Sequence, residues 1–198
     1  MGLDLDYTNG QTPLDEDERD GLLIPTITNR GELDEFEQLG VEKANEWLLS
    51  IKFSVNKILT ENFVKDLHKR MFKDIWKWAG EFRKSNKNIG VDKFIIGMEL
   101  KNLLDDCNYW IENKVFSEDE IAVRLSHRMV LIHPFANGNG RHSRLMADIL
   151  IAKGFAKPYF TWGSVNLTKE GEARKKYLEA LRAADQNDYK SLIEFAGK

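Results

Sequence analysis

The chain has 198 residues, with 29 Lys and Arg against 32 Asp and Glu, for a formal net charge of -3. That length supports one substantial core, and the mild acidity gives no overall attraction to nucleic acid or to an anionic membrane, so neither is expected as a partner. No apolar run approaches the roughly 18 residues of a membrane helix, and the single cysteine, Cys107, cannot close an internal disulfide.

Residues 1–30 are rich in Asp, Thr, Gly and Pro and are expected to form an arm with at most one short helix. Its opening, MGLDLDYTNG, lacks the basic and apolar regions of a signal peptide. Asp6 stands where a myristoylation motif needs Ser or Thr. A cytoplasmic protein is the expectation. Thr12 and Pro13 suit the cap and first turn of a helix, which Gly21 and Pro25 would end. Helical signals dominate from Gly31. Leu33, Phe36, Leu39 and Val41 open a helix that continues through Ala44, Trp47 and Leu48. Thr60 caps the next, whose Phe63, Val64, Leu67 and Met71 follow helical spacing. His68 on it reads as a partly buried surface residue.

The pattern then breaks at WKWAGEFRKSNKNIGVDKF. Trp76, Trp78 and Phe82 are expected to anchor this segment, and the polar run from Ser85 to Lys93 reads as a hairpin or extended loop. Met98 to Asn113 predicts a helix, with Cys107 as inert packing. Ser117-Glu118-Asp119-Glu120 has a capping-box pattern and should begin a helix with the core stripe Ile121, Ala122, Leu125, Met129 and Ile132. His127 within it reads as structural or exposed. Leu145, Met146, Ile149 and Leu150 give a further helix stopped by Gly154. A last helical stretch runs from about residue 169 to 195, interrupted near Gln186–Asp188. The fold class is mostly α.

Between these helices lies HPFANGNGRHSR, His133 to Arg144. Glycine tolerates positive φ and a close backbone approach. A helix starting inside the loop would put Arg141 and Arg144 on one face beside a positive N-terminus, which suits an anion. His133 could accept a proton there. The residues read as a nucleotide site, and His142 as a rim residue.

The stretch resembles the core motif of the Fic (Fido) family, His-x-Phe-x-(Asp/Glu)-Gly-Asn-Gly-Arg-x-x-Arg. His133, Phe135, Gly138, Asn139, Gly140, Arg141 and Arg144 match it. Asn137 replaces the usual carboxylate. The similarity extends from about Gly31 to near the C-terminus, giving an expected arm of 1–30 and a Fic-like domain of 31–198. The segment TPLDEDERDGLLIPTITNRGELDEFEQ resembles a bacterial branch labelled mobile mystery protein B. The resemblance implies a helical bundle with a small β-hairpin flap. It also implies transfer of AMP from ATP to a Ser, Thr or Tyr hydroxyl of a target protein. In these terms His133 is the general base, and Gly138, Asn139, Gly140, Arg141 and Arg144 bind phosphate. Phe135 anchors the loop. Ser85, Asn86, Lys87, Asn88, Ile89, Gly90, Val91, Asp92 and Lys93 form the target-binding flap.

The family's acidic residue at 137 holds Mg²⁺, for which the asparagine oxygen is a poorer ligand. Three outcomes stay open: magnesium held mainly by the phosphates, another phosphate donor, or a binding module without turnover. Many Fic proteins carry an inhibitory Ser/Thr-x-x-x-Glu-(Gly/Asn) helix. The nearest strings here start at Thr12 and Thr28, both without the final residue, which makes Glu16 the inhibitory candidate. A separate antitoxin-like partner is the alternative.

Overall fold

The computed structural model describes residues 13–51, 54–164, 167 and 171–197. In chain order the helices are α1 (Glu16–Arg19), α2 (Arg30–Ser50), α3 (Val55–Ile58), α4 (Glu61–Phe72), α5 (Ile96–Glu112), α6 (Glu118–Ile132), α7 (Asn139–Ile149), α8 (Glu172–Asp185) and α9 (Lys190–Gly197). The mostly α expectation holds. Local chemistry sets many of the boundaries: Asn29, Thr60 and Ser117 each accept an amide of the first turn they precede.

Among its described residues the arm contains one short helix, α1. Its cap is Asp15, whose N–H donates to the Glu18 carboxylate at 2.8 Å; Thr12, expected to play that part, lies outside the described residues. The arm is fastened to the body, because Leu14 and Ile27 are buried and Leu22 forms an isolated antiparallel bridge with Trp76. That bridge lies outside any strand, and residues 85–93 have no strand pairing. The expected hairpin is therefore an irregular loop, for reasons given by its anchors below.

α6 and α7 pack together at the centre, with α5 and α9 against α6 and α4 against α7. α2 covers α4, and α8 pairs with α9. Trp76, Phe72 and Phe135 are among the largest fully buried side chains, so the motif loop is seated in the main core. Cys107 is fully buried, and burial pushes its thiol up to about 12, which keeps it protonated and inert.

The inward stripe of α2 differs from the expected one. Leu33, Glu37, Ala44 and Leu48 are buried, while Phe36 and Leu39 are exposed. A carboxylate thus sits on the core face of a helix, and the site explains why.

Candidate active site

The HPFANGNGRHSR run folds as the end of one helix, a turn, and the start of another. His133 is the C-terminal cap of α6, in the left-handed region at φ 53° and ψ 60°. Gly138 caps α7 at φ 77°, and a Cβ there would lie 2.5 Å from the Phe72 ring, so both conformation and space require glycine. The first intrahelical bond runs from His142 N–H to the Gly138 carbonyl at 2.9 Å. The preceding amides form the positive end of α7.

Asn139 holds the turn shut. Its Oδ1 accepts the Phe135 N–H at 3.0 Å and its Nδ2 donates to the Phe135 carbonyl at 2.8 Å. With both polar ends consumed and the side chain buried, the Asn139 side chain is a staple of the loop. Phe135 is fully buried and stacks on His68 at 3.7 Å. His68 is itself fully buried, contrary to the surface position expected. The Gly80 N–H donates to its Nδ1 at 3.0 Å, so Nε2 carries the proton and donates to the Asn137 carbonyl at 3.1 Å. Burial keeps this ring well below the usual histidine range, and it drives His142 down to about 4. His142 is buried beneath the loop, with Nε2 donating to the Val64 carbonyl at 2.9 Å; it is no rim residue.

His133 is 6% exposed, and burial pushes it down to about 4, assisted by the positive charges of Arg83 and Lys87. It is therefore a neutral proton acceptor throughout the physiological range. Arg83 organises its surroundings. Its Nε donates to the His133 carbonyl at 2.7 Å, its Nη1 to the Ser85 carbonyl at 2.7 Å, and its Nη2 to the Val91 carbonyl. Its own N–H donates to the Pro134 carbonyl at 2.9 Å. One guanidinium thus takes up loop carbonyls that a hairpin ladder would have used, and ties residues 85–91 to the motif turn. Gly90, at φ 104°, lies so close that a Cβ would come within 2.7 Å of the His133 Cβ.

The other end of this loop is closed by Asn86, whose Nδ2 donates to Asp92 at 2.9 Å and whose Oδ1 accepts the Lys93 N–H at 2.8 Å. Lys87 turns away from solvent, with a side chain 3% exposed, and pairs with Asp15 at 2.9 Å and with Glu18 of α1. Asn88, Ile89 and Gly90 remain exposed at the tip. Glu16 is exposed on α1.

The carboxylate that reaches a motif arginine is instead Glu37. It is 0% exposed, pairs with Arg141, accepts the Trp76 indole N–H at 2.8 Å and accepts the Asn137 Nδ2 at 3.0 Å. The negative charge missing at position 137 is thus present in space, supplied from α2. Asn137 is bound at both ends, since its Oδ1 accepts the Gly138 N–H at 2.7 Å. These residues do not fit a protein-held divalent cation: the asparagine oxygen is used, the glutamate is committed to an arginine, and no group of three His, Cys, Asp or Glu that could hold a metal occurs among the described residues. Arg141 keeps one buried guanidinium nitrogen, Nη1, with no hydrogen-bond partner among the described residues, a donor suited to an anionic ligand. Arg144 lies over the Tyr177 ring at 5.3 Å.

Residues 58–151 match the Fic/DOC family model. The chain carries a Fic/DOC family domain. The motif turn, both arginines and the loop of residues 85–93 lie inside it. The chain is 25% identical over 163 residues to the protein adenylyltransferase Fic of Aedes aegypti, an alignment covering 80% of this chain and 31% of that protein. A relative of the same name from Nematostella vectensis is 23% identical over 87% of this chain and 39% of its own length. The chain thus spans about a third of the curated relatives it matches. Among solved structures, Fic-1 (residues 134–508) of C. elegans aligns with a TM-score of 0.66 at 19% identity, covering 90% of this chain and 51% of that one. The BepC protein of Bartonella tribocorum, solved with bound AMPPNP, aligns at 0.63 and 18% identity, covering 92% and 97%. These likenesses establish the Fic fold.

Sequence reasoning brought the motif together but missed Glu37 and Arg83. Glu37 left a trace: it stands four residues after Leu33, on the same helical face as a buried leucine. Arg83 left none, since the carbonyls it binds lie on segments far apart in sequence.

Proposed function

We propose that this chain is a protein adenylyltransferase that moves AMP from ATP to a Ser, Thr or Tyr hydroxyl of a target protein. The observation that carries the reading is the neutral, buried His133 at the start of the turn that leads from α6 into α7, within a Fic/DOC domain whose named relatives are adenylyltransferases. The target hydroxyl oxygen attacks the α-phosphorus of ATP. A bond forms between that oxygen and phosphorus, and the bond from phosphorus to the pyrophosphate oxygen breaks. His133 takes the hydroxyl proton; a base at this position is worth about 10²–10⁴-fold in rate. Growing charge on the phosphoryl oxygens meets the α7 amides of Gly140 and Arg141 and the spare nitrogen of Arg141, while Arg144 takes the terminal phosphate. The target segment lies along the exposed tip of the loop, beside Asn88–Gly90. A cytoplasmic bacterial setting and an antitoxin-like partner belong to the same reading.

A second reading, nucleotide binding without turnover, is favoured by one observation: Asn137 and Glu37 are both engaged where the family's metal-binding acid would stand. Intact-mass analysis after incubation with ATP and Mg²⁺, with and without cell lysate, separates the two. An adenylyl adduct on this chain or on a lysate protein is expected. ATP bound with no adduct anywhere would leave the binding module.

A further inference from the structure

Asp148 lies one turn beyond Arg144 on α7 and is only half-exposed. It accepts the Trp162 indole N–H at 2.9 Å and the main-chain N–H of Phe160. The segment it captures is unusual in its backbone: Trp162 has φ 48° and is followed by Gly163 at φ 73°, a conformation that persists for tryptophan only where the surroundings hold it. On its other side this segment is tied to α9, where Thr161 N–H donates to the Ala196 carbonyl at 2.9 Å. Trp162 meets Tyr177 edge-on at 6.4 Å, and the Tyr177 ring is the surface over which the Arg144 guanidinium rests. Asp148, Trp162, Tyr177 and Arg144 therefore form a chain of contacts, with a carboxylate at one end and a motif arginine at the other. Tyr177 is buried, and its hydroxyl has no hydrogen-bond partner among the described residues.

We propose that Asp148 is a positioning residue for phosphate binding by Arg144: through Trp162 and Tyr177 it fixes the surface on which the guanidinium rests, and its charge competes with bound phosphate for that guanidinium. The proposal rests on the nucleotide reading above. Two demands meet at Asp148. Burial disfavours its charge, while the Trp162 and Phe160 donors and Arg144 favour it, and the balance raises its carboxyl to about 7. Among the described residues the charged and titratable groups acting on it are Arg144 on its own helix and Tyr159 of the covering segment. Protonated, Asp148 keeps an acceptor for Trp162 and releases its electrostatic claim on Arg144. Ionised, it holds Arg144 back from an incoming anion.

The test is calorimetric binding of ATP and AMP from pH 6 to 8.5 by the wild type, Asp148→Asn and Trp162→Phe. Asparagine preserves the acceptor but carries no charge. The ratio of wild-type to Asp148→Asn dissociation constants for ATP should rise through a midpoint near pH 7. The rise should reach about fivefold, the low end of ordinary coupling between two sites. Titration of ATP itself is common to both proteins and cancels in the ratio. AMP, without a terminal phosphate, should give a flat ratio. In Trp162→Phe a donor that favours ionisation is lost, so the midpoint should move to higher pH. A flat ATP ratio, or an unmoved midpoint in Trp162→Phe, overturns the role of Asp148 while leaving the nucleotide reading intact. Absence of ATP binding by the wild type overturns the nucleotide reading, and this role with it.

Discussion

Placing the family's usual carboxylate at position 137 should destabilise this particular protein. In Asn137→Asp the Nδ2 that donates to Glu37 at 3.0 Å becomes a second oxygen facing a carboxylate that is 0% exposed. The lost hydrogen bond to a charged acceptor is worth about 1.5–3 kcal/mol. Two ionised carboxylates about 3 Å apart repel by about 5 kcal/mol at an effective dielectric of about 20. Arg141 offsets part of that, and the remainder is limited because the variant pair can share one proton. Uptake of that proton at neutral pH costs roughly 1.4 kcal/mol for each unit between the solution pH and the ordinary carboxylate range. At pH 8 a net loss of up to about 5 kcal/mol is expected. The folded variant then binds a proton that its unfolded chain does not, so its carboxyl is raised on folding. The stability gap to the wild type should therefore be small near the carboxylate range and widen as pH rises. Urea unfolding of both proteins at pH 5 and pH 8 measures this. Adding Glu37→Gln to Asn137→Asp restores a donor facing an acceptor and should recover much of the pH-dependent part. Equal stability of Asn137→Asp and wild type at both pH values would refute the reasoning.

Replacing His133 by Ala should lower transfer by about 10²–10⁴-fold while nucleotide binding changes little, since other groups hold the phosphates; unchanged transfer in a folded variant would remove the base assignment. Arg144→Ala should weaken ATP by about 1.5–3 kcal/mol and AMP by less, because AMP lacks the phosphate assigned to that fork; equal losses in calorimetry would place Arg144 elsewhere. His68 and His142 are both depressed by burial, the latter to about 4. Their contribution to stability should thus be present in full above about pH 6.5 and be lost as pH falls toward about 4. A wild-type unfolding free energy flat between pH 7 and 4.5 would contradict it. Arg83→Lys should lower transfer more than it lowers stability, because one ammonium cannot reach the carbonyls of His133, Ser85 and Val91 together; parallel losses in unfolding and transfer assays would make Arg83 merely structural.

The sequence by itself determined the elements whose cause is local. Thr60 and Ser117 announced their helices because a hydroxyl cap needs only the amides that follow it. The break near Gln186–Asp188 separates α8 from α9. The order His133, Phe135, Gly138 to Arg141, Arg144 was legible because its geometry is built within one turn and one helix start. What the tertiary structure decided depends on contacts between distant segments. Periodicity read Phe36 and Leu39 as inward on α2 and left out Glu37, since hydrophobicity does not say that an arginine and an asparagine one hundred positions later would need its carboxylate. His68 and His142 looked peripheral until Phe135 and the Val64 carbonyl closed over them. His127, on the core stripe of α6, proved to join Tyr189 at 3.0 Å and Asp185 at 2.9 Å across the α8–α9 turn. The polar, glycine-containing run at residues 85–93 suggested a hairpin or extended loop, and Arg83 takes up carbonyls that hairpin pairing would have used. Short-range hydrogen bonds are written in neighbouring residues; the partner of a buried charge is written only in the fold.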